Sequence, residues 1–130
     1  MKYMFKGMAT RTTTFDIGDL SNWDTSKVTN MRNMFQTAGQ NSTTWNSIGN
    51  LKVYANNISM MFYNCPKAKA TLSIYSNPSS TSQYDRVFSG AATASGSLIT
   101  VNYSNDTTNI NNIVSTRSSN SNVVKGEILS

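Results

Sequence analysis

Val28-Thr29-Asn30-Met31-Arg32-Asn33-Met34-Phe35 decides how this chain is read, because a version of it occurs five times. The copies are Met1-Lys2-Tyr3-Met4-Phe5, Met31-Arg32-Asn33-Met34-Phe35, Ile58-Ser59-Met60-Met61-Phe62, Tyr84-Asp85-Arg86-Val87-Phe88 and Ile110-Asn111-Asn112-Ile113-Val114. They begin at 1, 31, 58, 84 and 110, so the spacings are 30, 27, 26 and 26. A period of about 20–50 residues marks stacked units, none of which can bury its apolar face alone. A repeat solenoid is expected.

Apolar residues stand at i, i+3 and i+4 in every copy, the stripe of a short helix. Thr29, Asn56, Ser82 and Thr108, two residues ahead of their stripes, suit an N-cap. Six residues past each start come Gly7, Thr37, Asn64, Gly90 and Thr116. Gly and Asn reach the left-handed conformation that ends a helix; the two Thr fit less well. Helices are therefore predicted near 1–8, 29–37, 56–64, 82–90 and 108–116, each too short to survive without neighbours. Met31, Met34, Phe35, Met61, Phe62, Val87 and Phe88 should form the core. Arg32, Asn33, Ser59, Asp85 and Arg86 should face water.

A second element recurs upstream of the stripes. Leu51-Lys52-Val53 and Leu72-Ser73-Ile74 alternate with a period of two, as a strand with one buried face does. Phe15/Ile17 and Leu98/Ile99/Val101 occupy the same place. Runs ending in Asn follow, with Asn22, Asn77 and Asn105 expected to point inward as a ladder. The predicted fold is an α/β solenoid of leucine-rich-repeat-like coils, each with one short parallel strand and one short helix. It forms one domain over 1–130, of about five coils, with a decayed C-terminal cap at 117–130. The coil that carries residues 1–8 has no polar cap ahead of its stripe, so neighbouring copies or a larger chain are expected against that open end.

Asp19-Leu20-Ser21-Asn22-Trp23-Asp24-Thr25-Ser26-Lys27-Val28-Thr29-Asn30-Met31-Arg32-Asn33-Met34-Phe35 closely resembles the repeat unit of the BspA-like surface proteins, the DUF285 family. Met61-Phe62-Tyr63-Asn64-Cys65 matches in part, and the last two copies lack the Trp and both Met. The resemblance implies an atypical leucine-rich-repeat solenoid on a bacterial surface, in a family often implicated in adhesion. It carries no catalytic motif.

Nineteen Ser, sixteen Thr and seventeen Asn make 52 of the 130 residues, while only 13% are charged. Such polarity can signal a disordered chain, but the regular Met/Phe stripe opposes that. Net charge is +5. The eleven cations are scattered, and only Lys67 and Lys69 pair closely, which favours solvated surface over a nucleic-acid patch. No apolar run reaches membrane-span length, and no signal peptide is read at Met1-Lys2-Tyr3-Met4-Phe5. One cysteine excludes an internal disulfide, and Cys65 falls at a helix-end apolar position.

The chain has no histidine, which removes His-based triads and His-bearing zinc sites. Its acids are Asp16, Asp19, Asp24, Asp85, Asp106 and Glu127. The first three lie close in sequence but belong to a strand and its turn; oxygen ligands would suffice for calcium there. Gly90-Ala91-Ala92-Thr93-Ala94-Ser95-Gly96 lacks the Lys-Ser/Thr of a phosphate loop. No enzyme, cofactor or metal is expected.

The expected function is a non-enzymatic, surface-displayed binding or adhesion module for a protein or glycan, met through the strand face or the divergent loops; the alternative is a virion component, such as a tail or capsid-decorating protein. Candidate contacts are Lys52, Tyr54, Tyr75 and Tyr103, with the tyrosines in one register on the strand face. Tyrosine gives large contact area with a polar tip at little conformational cost. Two placements fit that column, outward for binding or inward against the helices. Two also fit Trp45 in the divergent loop 38–50: filling its own loop or meeting a partner.

Overall fold

Period-two segments become strands, and the structure gives them one direction. The computed structural model describes residues 1–9 and 13–130. Its strands are β1 (Thr14–Phe15), β2 (Thr44–Trp45), β3 (Asn50–Val53), β4 (Lys69–Ile74), β5 (Leu98–Tyr103) and β6 (Val123–Ile128). Two helices, α1 (Thr81–Tyr84) and α2 (Thr108–Val114), precede β5 and β6. β1 pairs with β2, and the larger sheet runs β3-β4-β5-β6, in chain order. Every pair among these strands is parallel. Parallel neighbours in sequence order force the chain to return to the same end before each strand, and so to wind. The result is a β-solenoid of about four turns with few helices.

Inward residues meet in one continuous core. Met31, Met34, Phe35, Met61, Phe62, Val87 and Phe88 are all fully buried. Phe35 stacks on Phe62 at 4.8 Å between ring centroids, Phe62 on Phe88 at 6.1 Å, and Phe5 on Phe35 at 5.3 Å. The equivalent side chain of the last copy is Val114, on α2.

The helices expected at 1–8, 29–37 and 56–64 are absent, and the one expected at 82–90 is reduced to the short α1, which overlaps only its start. The stripes are instead chains of tight turns. Met34 N–H donates to Met31 C=O, Gln36 to Asn33 and Ala38 to Phe35, each three residues back. The alternate N–H groups leave the coil: Asn33 donates to Ser59 C=O, Phe35 to Met61 and Thr37 to Tyr63. The same pattern joins 58–64 to 83–89 through Ile58→Gln83, Met60→Asp85, Phe62→Val87 and Asn64→Ser89. A helix would spend these donors within itself; here they bind one coil to the next.

This geometry needs left-handed residues at two places in each stripe. Tyr3, Asn33, Met60 and Arg86 form one row, with φ of 61°, 59°, 53° and 53°. Gly7, Thr37, Asn64 and Gly90 form the other, the row the sequence marked as helix ends. A left-handed non-Gly residue costs roughly 1–2 kcal/mol, which the ladder between coils offsets. The fifth copy differs. Its residues form the true helix α2, buried through Ile110, Ile113 and Val114. Phe88 N–H and Gly90 N–H then find side-chain oxygens, Thr116 Oγ1 at 3.0 Å and Ser118 Oγ at 2.8 Å, in place of carbonyls.

Three further expectations are corrected. Asn33 and Ser59 are buried, because their turns face the adjacent coil, while Arg32 and Asp85 are half-buried and Arg86 is exposed. The asparagine ladder does not form. Asn22 and Asn77 are exposed, and only Asn105 reaches inward, donating to Tyr75 and Ser76 C=O. The neighbouring serines do that work: Ser76 Oγ donates to Ala55 C=O at 2.7 Å and Ser104 Oγ to Tyr75 C=O at 3.1 Å.

Asp16, Asp19 and Asp24 each close a local turn. Asp16 accepts from Gly18 N–H and Asn46 Nδ2, Asp19 from the hydroxyl and N–H of Ser21, and Asp24 from those of Ser26. These bonds hold all three carboxyls below their ordinary value of 3.8. A carboxylate depressed on folding contributes stability above its unfolded pKa and loses it as the pH falls through the folded one. The thermal midpoint should therefore stay level above pH 5 or so and drop on acidification below 3.8. Asp19→Asn should flatten that drop. A midpoint that rises with acid through this window would contradict the turns.

Candidate binding surface

The outer face beside β3 and β4 carries three of the side chains that the sequence singled out, Lys52, Tyr54 and Tyr75. Val53 pairs with Ile74 in the β3–β4 register, so Tyr54 and Tyr75 follow side by side. Their rings stack at 4.9 Å with 9° between planes. Tyr54 is 39% exposed and Tyr75 is half-buried. Lys52 lies on the same strand as the inward Leu51 and Val53 but between them, so it points to the outer face. Its C=O accepts from Thr25 Oγ1 at 2.5 Å, which ties the preceding coil to β3.

Tyr103 departs from the expected column. It pairs with Ile74, one residue out of step with Tyr75, and so packs against the core. Lys125 Nζ sits 4.8 Å from its ring centroid and is itself held by Asp106 at 3.3 Å and Asn111 at 3.1 Å. The three-residue column is thus a pair. The reason is the alternation itself: a shift of one residue moves a side chain to the other face of a strand.

Trp45 is 1% exposed and cannot meet a partner. It stacks on Phe15 at 4.3 Å, and its Nε1–H donates to Ala38 C=O at 3.2 Å. Of the two placements expected for it, the inward one holds, through Ala38 of its own loop, and it lies on β2 in the core. Cys65 is equally enclosed. Its thiol donates to Phe35 C=O, and burial pushes it up to about 12. Such a thiol is almost wholly un-ionised at neutral pH, which leaves little thiolate for nucleophilic chemistry.

A cleft of about 170 Å³ opens beside β2, lined in part by Thr43, Thr44, Lys67, Lys69, Ser95 and Ser97 from three successive coils. Among the described residues no carboxylate lines it. Lys67 Nζ donates to Ser42 C=O, and Lys69 is exposed. Cations and hydroxyls without an acid suit a polar or anionic group. The one signal for this cleft in the sequence was the close Lys67/Lys69 pair, which reads more simply as solvated surface. Among the described residues no three acidic or cysteine side chains gather as metal ligands. No helix among them is long and apolar enough to cross a membrane.

Parallel coils, a sheet in strict chain order and one aromatic column through the centre define a repeat protein of the β-solenoid class. The family model described as "Mycoplasma protein of unknown function, DUF285" matches residues 1–125, and the chain belongs to that family. Neither a curated protein nor a solved structure matches it.

Proposed function

We propose that this solenoid is a non-enzymatic binding or adhesion module, displayed outside the cell and recognising a protein or glycan through its strand face. The observation that supports this is the Tyr54–Tyr75 stack beside Lys52, a flat aromatic surface with a cation next to it. Stacked tyrosines offer a sugar ring or an apolar side chain broad contact area, and their hydroxyls fix its orientation. The leucine-rich-repeat likeness enters here only as an analogy of use: coils present a repeated face, and the face binds. The apolar end at Tyr3, Met4 and Met8 favours a second reading, an assembly part such as a virion component, in which the solenoid is joined through that end.

The double variant Tyr54→Ser/Tyr75→Ser tests the first reading. Binding of the labelled protein to intact cells and to immobilised glycans should fall at least about tenfold, as expected when central aromatic anchors are removed. Thermal unfolding should move little. A parallel collapse of the thermal midpoint would make the pair part of the core, and unchanged binding would move the site elsewhere.

A further inference from the structure

Alternation along the chain places two cations on one side of the coil ahead of β4. Ala68 and Ala70 are buried, so Lys67 and Lys69 turn the opposite way, toward the outside. Lys69 opens β4 and is the partner of Leu98 at the start of β5, so the sheet fixes its backbone. Lys67 is half-buried, and its bond to Ser42 C=O holds the ammonium beside Thr43. Thr43 and Thr44 come from the preceding coil and Ser95 from the following one, and all line the cleft beside β2. Lys69 and Tyr75 are six residues apart, roughly 20 Å along an extended chain, so the cleft is separate from the tyrosine pair.

Several polar groups here are unengaged. Among the described residues no hydrogen bond or ion pair holds the Lys69 ammonium or the hydroxyls of Thr43 and Ser95. An ammonium carries three donors, so Lys67 keeps two beyond its bond to Ser42. No acid among the described lining residues neutralises either lysine, and Asp16 of the preceding coil is taken up by Gly18 N–H and Asn46 Nδ2. Trp45, Ala68 and Ala70 are buried behind. Charges of one sign set before an apolar wall concentrate their field in the opening. Donors from three coils suit an anion with oxygens on several sides. A carboxylate keeps its two oxygens in one plane, whereas a sulfate or phosphate group does not. Lysine serves such groups as a point charge, without the fork geometry of arginine. The volume of about 170 Å³ falls below the roughly 300–1,000 Å³ of pockets that enclose a whole drug-sized ligand, so one group is held and not a complete molecule of that size.

We propose that this cleft binds one tetrahedral oxyanion, a sulfate or phosphate group, between Lys67, Lys69 and the hydroxyls of Thr43 and Ser95. The group arrives as the free ion or as an ester on a sugar. Its binding does not depend on the tyrosine face.

The test follows backbone amide shifts of the whole protein by nuclear magnetic resonance as sodium sulfate replaces sodium chloride at constant ionic strength. Saturable shifts are expected at Thr43, Lys67, Lys69 and Ser95. Lys69→Met should weaken binding about tenfold or more, as the loss of a charge-assisted hydrogen bond does. Its thermal midpoint should not move, because the side chain is exposed. Lys69→Arg should restore much of the binding. Lys27→Met removes an exposed cation elsewhere and should leave binding unchanged. Galactose 6-sulfate, with galactose as its blank, separates the two sources. Shifts at the same four residues with the sulfated sugar alone assign an ester, and binding of inorganic sulfate without it assigns the free ion. Absent or unsaturable shifts with both would overturn the proposal. So would equal losses in Lys69→Met and Lys27→Met, or acetate bound as tightly as sulfate.

Discussion

Phe62→Ala is expected to lower stability by about 3–5 kcal/mol, the range for a buried aromatic cut back to a methyl group. The ring is fully buried at the middle of the column, 4.8 Å from Phe35 and 6.1 Å from Phe88. Its loss removes contacts on both sides and leaves a cavity between two coils that cannot close, because the backbone ladder sets their separation. Phe62 N–H donates to Val87 C=O at 2.9 Å, and Phe35 N–H to Met61 C=O at 2.8 Å. Small domains have roughly 5–15 kcal/mol in total, so the variant should be partly unfolded at body temperature. Urea unfolding followed by circular dichroism measures this directly. Phe5→Ala, at the open end of the same column with its ring half-buried, should cost clearly less. A loss under about 1 kcal/mol at Phe62 would mean that the column is not the core, given the range for such truncations.

The period, the buried stripe and the parallel strands were legible in the sequence, and for one reason. Apolar spacing reports which side chains are inside, whatever the backbone does between them. Met31, Met34, Phe35 and Ala38 lie inward in a helix and equally inward in a chain of turns. What the spacing cannot report is where alternate N–H groups go. The clue lay in the row Gly7, Thr37, Asn64 and Gly90, where Thr37 fits a helix end poorly; all four are left-handed, as the reading required, but within a continuing row of turns. The second left-handed row, through Met60 and Arg86, carries residue types that give no warning of it. Side-chain register was the other blind spot. Tyr54 and Tyr75 stack as expected, yet Tyr103 is one residue out of step, and no local pattern distinguishes it. Trp45 was missed as a strand residue because β2 has only two residues, too few for alternation to show.

Gly39→Ala should be the second costly change, and its control makes the cause visible. Gly39 has a φ of 58°, and its N–H donates to Met8 C=O at 2.7 Å, so the backbone is held. A Cβ there would stand 2.5 Å from Cδ1 and Nε1 of Trp45 and 2.8 Å from Cβ of Phe15. The indole cannot swing away: it is stacked on Phe15 at 4.3 Å and bound through Nε1–H to Ala38 C=O. Left-handed strain of roughly 1–2 kcal/mol and overpacking of roughly 1–3 kcal/mol should together cost about 2–5 kcal/mol. Gly96 has a φ of 81° but open space where its Cβ would go. Gly96→Ala should therefore show the strain alone, about 1–2 kcal/mol. The difference between the two, read from urea midpoints at equal slope, isolates the contact with Trp45. Equal losses at both positions would mean that the indole does not fill the space beneath Gly39, and the packing of β1 on β2 would have to be redrawn.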